Sequence, residues 1–142
     1  MSRGRHEQGS AMVEYTVIVG AVIAPLVYLV VLMAEIQAAA FASTAAAREA
    51  GRVTVAGYAQ GQPVPEASGQ AAAELVLQDF GVEASALEIL CAGCDQETGV
   101  VTSTASVDVD LPGLHRLDIT GPRVLTLTAE HTEPLDRHRE LR

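Results

Sequence analysis

From Tyr15 to Ala34 the chain carries no charged side chain, and that run limits what the rest of the molecule can be. About twenty residues at 1.5 Å rise per residue cover the roughly 30 Å hydrocarbon core of a bilayer, so the segment predicts a membrane-spanning helix. A secretory signal has a shorter apolar region, about 7 to 15 residues, followed by a small-residue cleavage site. Ala38-Ala39-Ala40 offers such a site, and cleavage there, releasing a soluble domain, is the alternative. Arg3 and Arg5 precede the span and an acidic segment follows it. The positive-inside rule then puts the N-terminus in the cytoplasm and everything after Glu35 outside, with the lipid bilayer as a partner.

Glu14 stands where such a span should tolerate no carboxylate. A charge at the centre of a spanning helix costs at least roughly 2.5 to 3.5 kcal/mol, so an ionisable residue there points to function. Near the end of the helix, snorkelling to the headgroups lowers the cost, and an interfacial Glu is the plain alternative. Immediately before it, Gly9 offers a backbone unrestricted by a side chain. A protease at the membrane surface requires such an extended, small-residue site just outside the apolar helix.

The run Gly9-Ser10-Ala11-Met12-Val13-Glu14-Tyr15, preceded by a short polar leader and followed by the apolar segment, resembles a type IV prepilin signal. Counted from a cut after Gly9, Glu14 is the fifth residue, and Glu14-Tyr15 is similar to the Glu-Tyr or Glu-Phe pair of the Flp/Tad branch. The chain resembles the TadE-like minor pilins or pseudopilins from Gly9 to about Arg52, including Ala46-Ala47-Arg48-Glu49-Ala50-Gly51-Arg52. Beyond Arg52 the resemblance is architectural. It implies a prepilin peptidase cutting between Gly9 and Ser10, and Glu14 pairing with the new terminal ammonium of a neighbouring helix, which turns a burial cost into a device for register. It also implies other pilin subunits and a Tad membrane assembly platform as partners, and a bacterial cell membrane location with possible incorporation into a pilus.

Within the span, Pro25 removes a backbone hydrogen bond and predicts a kink. Gly20 and Ala24 have the small-xxx-small spacing compatible with close helix contact. The helix is expected to continue toward Tyr58, since Ala38 to Ala40 and Ala45 to Ala47 are strong helix formers. Glu49 and Arg52 lie one turn apart and suit a surface pair, while Arg48 and Arg52 share a face.

The remainder is long enough for one small domain with a modest core. Gln60 to Pro65 reads as a loop, and Pro65 and Gly81 bracket a second helix with Ala72, Leu75, Val76 and Phe80 on its apolar side. Strict alternation then marks three strands. Leu87, Ile89 and Cys91 share one face of the first. Val101, Ser103, Ala105, Val107, Val109 and Leu111 share one face of the second, and Leu125, Leu127 and Ala129 one face of the third. The expected fold is α+β: a long N-terminal membrane and stalk helix, and a second helix packed on a small antiparallel three-stranded sheet. The domain plan is a leader at 1–9, the long helix at 10–58, an exported α+β domain at 59–135 and a flexible tail at 136–142. The link from Pro112 to Pro122 reads as irregular.

All nine basic residues are arginine and the formal net charge is −9, the wrong sign for phosphate backbones, so no nucleic-acid partner is expected. Cys91-Ala92-Gly93-Cys94 is the one motif with possible thiol chemistry. Redox use needs a helix N-terminus to lower a thiol's pKa, whereas this pair follows a strand and precedes the acidic stretch from Asp95 to Gly99. Outside the membrane the two thiols are expected to oxidise to a structural disulfide. No cofactor and no metal is expected, since His115 and His131 lie at no recognised zinc spacing from the cysteines. His115, His131 and His138 read as surface residues, and Asp108 with Asp110 as the wet edge of a strand. The sequence thus predicts a structural component with no catalytic residue. The rival is a membrane-tethered extracytoplasmic binding or thiol-redox module that keeps its leader.

Overall fold

The computed structural model describes residues 7–94, 98–110 and 125–136. Alanine-rich sequence without internal glycine pairs favours helix, and one helix, α1, runs from Glu7 to Ala59 with Pro25 inside it. It begins upstream of Ser10, where the sequence plan started it, since Glu7-Gln8-Gly9 contains no proline and a single glycine weakens a helix without ending it. Several hydroxyls on α1 donate to its own backbone: Thr16 Oγ1 to the Met12 carbonyl at 2.8 Å and Thr44 Oγ1 to that of Ala40 at 2.9 Å. Such internal bonding leaves a polar side chain compatible with an apolar surrounding.

The chain divides into two compact units, the first ending at Ala34 and the second starting at Glu35. In the first, the apolar side chains from Met12 to Met33 are mostly exposed, as expected of a helix built for lipid. By length and composition it can cross a membrane, which fits single-pass anchoring.

The second unit is α+β. Its part of α1 is followed by α2 (Pro65–Asp79), β1 (Ala84–Ala92), β2 (Thr98–Val109) and β3 (Leu125–Asp136). The strands form an antiparallel sheet in the order β1-β2-β3. Leu87 pairs with Ala105, and Ser103 pairs with His131, which sets the inward faces in line. Ala39, Ala42, Ala46, Ala47 and Ala50 of α1 join Ala73 and Leu77 of α2 and Ala105, Val107 and Val109 of β2 in one buried cluster. Alanine on both sides lets backbones approach closely, so the core is thin and rests on short contacts.

Three expectations need correction. The buried residues of α2 are Pro65, Gly69, Ala73 and Leu77, one step round from the expected face, and Leu75 is exposed at 63%. The smallest residues face inward because an added Cβ at Gly69 would meet the Thr54 hydroxyl, the Ala50 carbonyl at 2.8 Å and Ile89 Cδ1 at 3.0 Å. Asp136 closes β3 opposite Thr98 and does not open a frayed tail, since the strand keeps its pairing past Pro134. Thr98 and Gly99 likewise belong to β2. Gly61 and Gly81, with φ of 69° and 70°, end α1 and α2 in the left-handed region that favours glycine. The 112–122 link, Leu111 and the 137–142 tail lie outside the described residues.

Candidate functional site

Glu14 is exposed on α1 among the apolar side chains of Met12, Val13, Tyr15 and Val17. The next charged residue along the chain is Glu35, about twenty positions on, or roughly 30 Å of α-helix. The two carboxylates therefore bracket a length of helix equal to the hydrocarbon thickness. A carboxylate at the end of a membrane-length segment is within snorkelling reach of the interface, where its cost is lower than at the centre. Tyr15 stands beside it with an aromatic ring, the side chain favoured at membrane interfaces.

Gly9 and Ser10 both lie within α1, in its first turn. The extended site expected from sequence is helical in the structure, so a protease must unwind that turn to reach the peptide bond. Gly20 has open space around its Cα, and Pro25 and Ala34 complete the span within the same unit.

The cysteines are brought together. Cys91 is the next-to-last paired residue of β1, opposite Val101, and Cys94 sits on the turn that follows, with their Cα atoms 5.9 Å apart and the sulfurs joined as a disulfide. Gly93, at φ 72°, makes the turn. Gly99 of β2 packs under it, where an added Cβ would meet the Gly93 carbonyl at 3.0 Å and Cys94 Cα at 3.2 Å. Along the chain the pair lies between two strands, β1 before it and β2 after it, whereas the helix N-terminus is one of the settings that lower a thiol's pKa.

Among the described residues, no three His, Cys, Asp or Glu converge in a way that would hold a metal. Asp108 accepts a hydrogen bond from Thr126 Oγ1 at 2.7 Å, which fits the wet strand edge, and Asp110 is exposed just past β2. His131 is half-buried on β3, its ring edge lying toward Gly51. His115 and His138 lie outside the described residues.

Comparison with protein-family models, with curated proteins and with solved structures finds no match.

The outer side of α1 in the second unit completes the inventory. Arg52 donates from Nε to Glu49 Oε2 at 2.9 Å and from its terminal nitrogen to Oε1 at 2.5 Å, a bidentate pair. The hydrogen bond from Arg52 holds the Glu49 carboxyl below its ordinary pKa, and the same bond raises that of Arg52. Sequence spacing anticipates this pair. It does not single out Ser103, whose buried hydroxyl reaches α1, or the Gly69–Thr54 contact. An inward serine amid the valines of an alternating strand was the available signal for the first.

Proposed function

We propose that the chain is a TadE-like minor pilin or pseudopilin. A prepilin peptidase processes it between Gly9 and Ser10, and it helps assemble a Tad-type pilus or secretion filament. The observation that carries this reading is Glu14, an exposed carboxylate set directly against the uncharged apolar stretch of α1 from Tyr15 to Ala34 and five residues after a glycine that ends a polar leader. In this role Ser10 supplies a new ammonium after cleavage. Glu14 of an adjacent subunit pairs with it, and the segment from Tyr15 to Ala34 is the assembly helix. The N-terminus is cytoplasmic and the α+β unit extracytoplasmic, with other pilin subunits and a membrane assembly platform as partners.

Expression with and without a prepilin peptidase, followed by intact-mass measurement of the membrane fraction, tests the reading. Loss of residues 1–9 is the expected result, and Gly9→Ala should block it. Glu14→Ala should leave the chain folded and inserted but fail in assembly. An intact leader beside an active cognate peptidase would reject the proposal, as would cleavage near Ala40.

A further inference from the structure

We infer that the outward side of α1 in the second unit, built on Phe41, Arg48 and Arg52, is a docking surface for a second copy of this chain, which it meets through that copy's acidic α2–β1 corner. This deepens the filament reading and rests on it for its place in the cell. Helix α1 has two sides here. Ala42, Ala46 and Ala50 are buried in the core, whereas Phe41 is 67% exposed and Thr44, Arg48 and Arg52 are exposed with it. Steps of seven and four residues from Phe41 to Arg48 to Arg52 keep the three on one helix face. An uncovered aromatic in line with two arginines on one helix face has the composition enriched at the centres of protein interfaces.

Charge identifies the occupant. Arg48 and Arg52 are the only arginines or lysines among the described residues, while carboxylates are spread over the rest of the unit, including Glu66, Glu74, Asp79, Glu83 and Glu88. Arg52 is already held by Glu49, and Arg48 has no ion-pair partner among the described residues. Copies carrying −9 repel one another in most orientations. Meeting the cationic face of one copy with the acidic surface of the next selects the orientation that attracts. The best counterpart is a cleft of about 280 Å³ whose lining includes Glu74, Leu77, Gln78, Val82 and Glu83. Two carboxylates and an amide over an apolar floor match a guanidinium on its aliphatic stem. Because the two surfaces are different parts of the unit, the contact is heterologous, and each copy keeps one surface of each kind for a further copy.

Sedimentation of the full-length chain in detergent micelles, across a range of ionic strengths, tests this surface. Self-association should weaken as salt rises. It should be about tenfold weaker in Arg48→Glu and in Glu74→Arg, and recover in the double variant that exchanges the charges. Far-UV dichroism should show all three folded, since both positions are exposed. Association unchanged by Arg48→Glu, a double variant no stronger than the weaker single, or no association at any salt would overturn the inference. The leader mass is read on the same chains. A processed leader with charge-insensitive association rejects the docking surface alone, and an unprocessed leader with charge-reversible association rejects the prepilin reading alone.

Discussion

The Ser103 hydroxyl lies 2.6 Å from the Ala47 carbonyl and 3.2 Å from that of His131, so one buried side chain of the central strand ties the sheet to α1. Ser103→Ala removes that tie without adding volume, and should cost about 1 kcal/mol, read as a fall of about 4–8 °C in the melting temperature of a unit this size. Ser103→Val adds a methyl group where α1 already touches the strand and should cost more. Equal melting of wild type and Ser103→Ala would show that the bond is not formed in solution.

Gly69 is buried where α2 meets Thr54 and Ala50 of α1. Intrinsic helix propensity favours Gly69→Ala by about 1 kcal/mol. The clash with the Ala50 carbonyl should reverse that sign and leave a net loss of roughly 1–3 kcal/mol, measured by thermal or denaturant unfolding. A stabilised Gly69→Ala variant would mean the helices are farther apart than described.

Joining Cys91 to Cys94 closes a very short loop, for which chain-entropy reasoning gives about 2 kcal/mol. Cys91→Ser and Cys94→Ser should therefore lower stability modestly while the fold and membrane insertion persist. Thiol labelling of the unreduced wild type should find no reactive cysteine. Loss of a cellular activity in Cys91→Ser, with folding and export intact, would favour the thiol-redox module.

Because the Arg52 hydrogen bond lowers the pKa of Glu49, the pair favours the folded state only while Glu49 is ionised. Its contribution is present above the ordinary carboxylate range and is lost as pH falls through the lowered folded value. Compared with Glu49→Gln, the wild type should keep a small, salt-sensitive advantage in melting temperature at neutral pH that fades as acidification carries the pH below the ordinary carboxylate range. An advantage that grows on acidification would contradict the pairing.

The elements legible in the sequence are those set by a repeating pattern. An uncharged run long enough to span, alternation through Val101, Ser103, Ala105 and Val107, and the Pro65–Gly81 bracket each identify an element without reference to any other. What escaped was set by neighbours. The inward side of α2 follows Gly69 because α1 comes too close for the larger residues, and nothing in the periodicity of α2 alone states that distance. Asp136 reads as the start of a tail until its pairing with Thr98 is seen. At the candidate site, Glu14 stands out because its class of side chain conflicts with its surroundings. Arg48 shares a face with Arg52 in the sequence, and only the placement of Phe41 on the same uncovered side gives it a context.

The alanines at 39, 42, 46, 47 and 50 leave α1 with no bulk to trim where it meets the second unit's sheet. Most changes there enlarge a side chain, so the tolerance of this domain to variation is one-sided. Its selective history should be written less in which residues are kept than in how small they all remain.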